Sequence, residues 1–257
     1  MKEYVMAPAR RRDGVVQCYI ERIKPTGMAS FGFGSTQYHL YLKENDTFLM
    51  AAKPRKANKT SNYLISISKD DLARKSDNYV GKLRSNFLGT EFNVYDDGMN
   101  PNSGDKTSGS NKIREELGIA MYASNLLGSR GPRKMRVAVP VVDERTQRRV
   151  KFQPRTDEEG ILRKFKDREL DQLFYMINKP PRWNDQVGAY VLNFNGRVTM
   201  ASVKNFQLIN PEDQERVVLQ FGRVAKDKFT MDFQSPLSPF QAFAISLSSF
   251  DSKLACE

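Results

Sequence analysis

The sequence predicts a mainly β domain with one buried α-helix. Three observations point to it. Short β-branched and aromatic runs outnumber helical ones, turn residues punctuate them, and the last helical segment is apolar or small on every side. That helix is too short to cross a bilayer, so it needs a protein wall around it, and a β-barrel closed around it would supply one.

The strand-like runs are Val15 to Glu21, Gln37 to Leu42, Phe48 to Ala52, Tyr63 to Ser68, Asn78 to Arg84, Glu91 to Tyr95, Arg133 to Val139, Tyr190 to Asn193, Phe206 to Ile209, Val217 to Phe221 and Lys228 to Asp232. Many alternate with period two, and Gly, Pro, Asn and Asp separate them, as expected of a barrel or sandwich. The stretch Asn100 to Ser110 reads as a surface loop.

Three segments carry helical patterns. Lys112 to Leu127 gathers Ile113, Leu117, Ala120, Met121 and Ser124 on one face, which predicts an amphipathic outer helix. Asp157 to Met176 mixes apolar residues with alternating charges and predicts one or two surface helices. The third runs from Ser238 to about Leu254. It opens with Ser238-Pro239-Phe240-Gln241, an N-cap serine, a proline at the first helical position and a glutamine placed for a capping box. Ala242, Phe243, Ala244, Ile245, Leu247 and Phe250 follow with only serines between them, so this helix is expected to be buried nearly all round.

Composition narrows the class. At 257 residues the chain can bury a proper core, and 39% hydrophobic with 28% charged residues reads as globular. Residues 1–14 are expected to form a short tail before a domain at 15–257. The two cysteines, Cys18 and Cys256, exclude a disulfide framework and a four-cysteine zinc site and suit a reducing compartment. The N-terminus has no apolar leader pattern, and no run reaches the ~18 apolar residues of a membrane span. A cytoplasmic monomer is the expectation.

The search for catalytic groups finds little. His39, the single histidine, sits in an alternating strand, Asp96-Asp97 before Gly98 reads as a turn, and Gly104 to Asn111 lacks the Lys-Ser or Lys-Thr of a phosphate loop. No enzyme, cofactor or metal site is expected. The net charge of +11 favours polyanions, but charge alone does not separate nucleic acid from anionic lipid or from a merely soluble surface. Two clusters are more specific. Lys53, Arg55, Lys56 and Lys59 form a polybasic loop, and Lys82 and Arg84 stand two residues apart on a strand. Residues i and i+2 share one face at ~6 to 7 Å, so this pair could grip neighbouring phosphates while Leu83 points inward. A solvated strand face is the plainer reading of the same pair. Arg114 falls in the first turn of the predicted outer helix, where a cation opposes the macrodipole, with Glu115 and Glu116 as local ion-pair partners.

Lys59 to Ser66, Gly81-Lys82-Leu83-Arg84-Ser85-Asn86-Phe87-Leu88-Gly89-Thr90, Gly131 to Met135 and Trp183-Asn184-Asp185 resemble the tubby family. So do Val191 to Thr199, Ala201 to Gln207 and the ending Ser248 to Glu257, so the resemblance runs from about Gln17 to the C-terminus. It implies a closed twelve-stranded β-barrel threaded by the hydrophobic C-terminal helix. It also implies binding of phosphatidylinositol 4,5-bisphosphate on the outer wall, through Asn62, Lys82, Arg84 and an arginine opening the outer helix, here Arg114. The basic residues Lys53, Arg55, Lys56 and Lys59 would add attraction to an anionic leaflet.

The expected role is a peripheral membrane tether at the plasma or ciliary membrane, serving membrane-protein trafficking or signalling, with membrane-protein cargo as a further partner. The alternative is a nucleic-acid-binding, transcription-associated regulator with a nuclear pool. The chain starts close to the domain, so the transport-machinery segment of animal relatives and the F-box of plant relatives are not expected in it. Pro54 and Ala57 interrupt the polybasic loop and Gly27 to Thr36 is rich in glycine, changes expected to shift lipid preference.

Overall fold

The computed structural model describes residues 1–27, 34–55, 60–102, 112–123, 134–186 and 188–251. Fourteen strands follow one another along these segments. They are β1 (Val16–Ile23), β2 (Gln37–Leu42), β3 (Phe48–Pro54), β4 (Asn62–Ser66), β5 (Tyr79–Ser85), β6 (Glu91–Asp96), β7 (Glu116–Tyr122), β8 (Met135–Pro140), β9 (Leu173–Asn178), β10 (Arg182–Asn184), β11 (Ala189–Val191), β12 (Phe206–Asn210), β13 (Asp213–Ala225) and β14 (Lys228–Phe233). Three α-helices join them: α1 (Lys2–Met6), α2 (Ile161–Lys166) and α3 (Pro239–Ser248).

Twelve strands close into an antiparallel barrel, and β10 with β11 forms a separate two-stranded sheet. Closure leaves the barrel no free sheet edge, so every strand in it has two partners. The axis is filled by α3, all ten of whose residues are buried. Ser238 accepts from the Gln241 amide and Gln241 Oε1 accepts from the Ser238 amide, so the capping box expected from sequence is formed. Gln241 Nε2 also donates to the Leu117 carbonyl at 2.7 Å, which ties the start of the helix to β7. Phe240, Phe243, Ile245 and Leu247 join the inward residues of the strands in one core. Each fully buried side chain of this size contributes about 1.5–3 kcal/mol.

Two helical expectations are corrected. Where an outer helix was expected over Lys112 to Leu127, the chain is extended: Ile113 bridges to Met99 and β7 follows, while 124–127 lie outside the described residues. This strand is buried on both faces. Ala120 and Tyr122 face the core around α3, and Ile119 lies under α2 with Phe152, Ile161, Phe165 and Leu173. A doubly buried strand loses the alternation that marks strands, and its Leu, Ala and Met imitate an amphipathic helix. Likewise Asp157 to Met176 yields only the six-residue α2, after which the chain turns into β9.

The N-terminal residues pack onto the barrel end: Val5 is fully buried, Lys2 pairs with Asp97 at 2.8 Å and Arg149 donates to the Met6 carbonyl. Asp96 closes β6 and the chain bends at Asp97, with Asp96 accepting from the Gly98 and Glu115 amides. His39 is packed between Tyr41 and Phe48. Cys256 and most of the loop at 100–110 lie outside the described residues.

If the core depends on the enclosed helix, Phe243→Ala should cost about 3–5 kcal/mol in urea unfolding. Ser238→Ala, which removes only the cap, should cost about 1 kcal/mol. Equal small losses from both would contradict the enclosure.

Candidate anion-binding site

The alternation of β5 builds the site. Leu83 turns inward and is fully buried in the core, so its neighbours Lys82 and Arg84 turn outward. Strand register then sets two adjacent rows on the outer wall. One runs Lys53, Leu64, Lys82, Tyr95 across β3 to β6, and the other runs Asn62, Arg84, Asn93 across β4 to β6. Residues directly opposite in an antiparallel pair have Cβ atoms about 4.5–5.5 Å apart, so each row is continuous.

Arg114 joins them from outside the barrel strands, and not from a helix. The Arg114 amide donates to the Met99 carbonyl at 2.9 Å, which clips its segment onto the end of β6. The clip depends on Gly98, where a Cβ would stand 2.4 Å from the Arg114 Cα. The Arg114 guanidinium then lies 4.1 Å from the Tyr95 ring centroid, with Lys82 Nζ at 5.5 Å from the same ring. The local ion pair expected with Glu115 or Glu116 gives way to this stacking. Glu115 stands 3.9 Å from Lys151, and Glu116 turns under α2 to accept from the Ile161 amide.

The electrostatics are one-sided. Lys82 is only 8% exposed, and its ammonium titrates at about 8. Burial is the main cause, and the positive charges of Arg114, Arg74, Arg84 and Arg55 push the same way. Among the described residues, none of these five cations forms an ion pair with a carboxylate. Asn62 Oδ1 and Arg114 Nε are buried without a hydrogen-bond partner. Beside Asn62 lies a cleft of about 420 Å³ lined by Arg55, Asn62, Tyr63, Phe250 and Asp251 among others, but not by Lys82, Arg84 or Arg114. Buried polar groups in native proteins are normally satisfied, and a desolvated lysine normally has a counter-ion. A phosphate would give Arg114 Nε an acceptor and Lys82 a counter-ion, whereas Asn62 Oδ1 needs a donor such as a ligand hydroxyl.

The structure therefore brings together Asn62, Lys82, Arg84 and Arg114, with Lys53 and Arg55 at the margin, whereas Lys56 and Lys59 lie outside the described residues. Sequence reasoning missed Tyr95 and Arg74. Tyr95 becomes a platform only through its register with Lys82, and Arg74 arrives on the 67–78 connection, whose position no local pattern shows.

The model of the Tub family matches residues 5–252. Tubby-related protein 2 of Mus musculus is 52% identical over 99% of this chain, which corresponds to 45% of that relative. Tubby-related protein 1 of Homo sapiens is 47% identical over 100% of the chain and 46% of its own length. Tubby protein homolog 1 of Caenorhabditis elegans is 46% identical over 86% of the chain and 53% of its own length. The chain thus spans about half the length of the curated relatives it matches.

Lys82 has a thermodynamic consequence. Between about pH 8 and 10.5 the unfolded chain keeps this proton and the folded chain has released it. Stability contributed by this residue therefore rises with pH across that window, and below it the charged ammonium costs stability. Lys82→Met should raise the unfolding free energy at pH 7 by about 1–3 kcal/mol, seen as a higher urea midpoint, and flatten the rise between pH 8 and 10.5. A destabilised Lys82→Met protein would show that the ammonium has a counter-ion.

Proposed function

We propose that this chain, which belongs to the Tub family, is a non-catalytic module that binds phosphatidylinositol 4,5-bisphosphate and so tethers its carrier to an anionic membrane. The observation that carries this reading is the uncompensated cation cluster around the desolvated Lys82. Two neighbouring phosphomonoesters need two cations ~6 to 7 Å apart, the spacing of alternate residues on a strand. Lys82 supplies a compact point charge and Arg84 a bidentate fork. Arg114, held over the Tyr95 ring, adds a third charge, and Asn62 offers an amide to a phosphate or inositol hydroxyl. An arriving phosphate would also restore the full charge of Lys82.

Lys53 and Arg55, with Lys56 and Lys59, would strengthen attraction to the leaflet by roughly 1 kcal/mol per cation, a contribution screened by salt. Such a tether suits membrane-protein trafficking or signalling at a plasma or ciliary membrane, with membrane-protein cargo as the further partner. A nucleic-acid role draws on the net charge of +11. It gains no reading element, because the longest described helix, α3, is wholly buried and α1 and α2 are one to two turns long.

Replacing Lys82 and Arg84 together by alanine should abolish co-sedimentation with liposomes containing phosphatidylinositol 4,5-bisphosphate, with a melting temperature at or above wild type. Undiminished sedimentation would refute the site. Salt-dependent duplex DNA binding without any headgroup binding would favour the nucleic-acid reading.

A further inference from the structure

The turn between β5 and β6 carries Phe87 and Leu88, 70% and 69% exposed, the two most exposed large apolar side chains among the described residues. Turn tips ordinarily hold Gly, Asn, Asp or Ser, and scattered exposed apolar residues need no explanation, but here two stand side by side at one tip. The turn holding them is firmly built. The Gly89 amide donates to the Asn86 carbonyl at 3.3 Å, and Gly89 takes the left-handed backbone (φ 71°) that favours glycine. Asn86 Oδ1 accepts from the Thr90 and Glu91 amides, and Asn86 Nδ2 donates to Thr90 Oγ1 at 3.1 Å. Ser85 Oγ donates to the Asn86 carbonyl and accepts from the Ser61 amide, which binds the turn to the neighbouring strand connection. Such a turn displays its two apolar side chains and has no slack to fold them back.

Their placement says what they meet. The tip begins two residues after Arg84 on the same strand, within about 10 Å by chain length. Asn62 and Arg55 stand at the same end of the barrel wall, Asn62 opposite Arg84 and Arg55 hydrogen-bonded to Asn62. The carboxylate beside the tip, Glu91, is paired with Lys166, which reduces its repulsion of an anionic surface. An apolar point bordered by cations is complementary to a bilayer, whose charged headgroups lie directly above its acyl chains.

We propose that Phe87 and Leu88 form a membrane-inserting wedge that enters the acyl boundary of the leaflet when the headgroup is seated at Lys82 and Arg84. This rests on the phosphoinositide reading given above and adds to it a second, headgroup-independent contact. The headgroup cluster selects the lipid, and the wedge holds the protein to the bilayer and sets its tilt.

The test compares Phe87→Ser with Leu88→Ser, as a double variant, against wild type on two probes: soluble inositol 1,4,5-trisphosphate, and phosphatidylcholine vesicles carrying phosphatidylinositol 4,5-bisphosphate. Vesicle affinity should fall about 10- to 100-fold, the factor for withdrawing two partly inserted apolar side chains, with trisphosphate affinity unchanged. Unchanged vesicle affinity, with trisphosphate still bound, would overturn the wedge alone. Failure of the wild type to bind trisphosphate would refute the headgroup reading and the wedge with it. Trp183 is the chain's single tryptophan. Phe87→Trp in a Trp183→Phe background should therefore give a blue-shifted emission on these vesicles, quenched by brominated acyl chains. An unshifted, unquenched emission from vesicle-bound protein would also overturn the proposal.

Discussion

Everything else in this molecule follows from enclosing an apolar helix inside a closed sheet. With α3 on the axis, the barrel strands send their alternate side chains inward largely as hydrocarbon, so most charge lies on the outer wall, with Asp251 buried beside Tyr63 and Arg149 half-buried beside Gln241. The helix packs closely behind the candidate site. A Cβ on Gly81 would stand 2.5 Å from the Phe240 ring, so the helix presses on β5 one residue before Lys82. The same packing that seats Leu83 in the core fixes Lys82 and Arg84 outward and leaves them little freedom to relax away from each other. The geometry of the outer cation cluster is thus set by packing on the inside.

The outer wall bears a cost that the core does not need. Placing a lysine among arginines, largely out of water and without a carboxylate, weakens the fold at neutral pH. Other buried charges are paired: Arg197 forks onto Asp232, with Nη2 to Oδ1 at 2.6 Å, and Lys112 reaches Asp96 at 2.5 Å, while Arg149 is held by the Met6 carbonyl and Gln241 without a carboxylate. The contrast sets the Lys82 cluster apart, because there several cations gather without a carboxylate. Groups held out of their preferred state by the surrounding fold are characteristic of binding sites, where the ligand relieves the strain.

Much of this was legible in the residues, unevenly. The helix from Ser238 could be read because its cap, its N1 proline and its all-round apolar surface agree with one another. The outward pairing of Lys82 with Arg84 could be read because Leu83 between them requires a core. β7 could not, since burial on both faces removes the alternation by which strands are recognised, and the error carried Arg114 onto a helix it does not occupy. Its true position depends on Gly98, Asp96 and a bridge to Met99, contacts made across a loop. Tyr95 and Arg74 depend on register and on loop path, which local sequence does not encode. The choice of Asn62, Lys82, Arg84 and Arg114 as a set came from family resemblance. Strand register and the Gly98 clip are what bring these four residues together in the fold.

The central claim, that Lys82 is a desolvated cation waiting for a phosphate, is tested most directly by following its ε-carbon and ammonium resonances through a pH titration, with and without inositol 1,4,5-trisphosphate. The account predicts a midpoint near pH 8 in the free protein, well below an ordinary lysine, moving above 10 when the trisphosphate is bound. A free-protein midpoint at the ordinary lysine value, unmoved by the ligand, would contradict it.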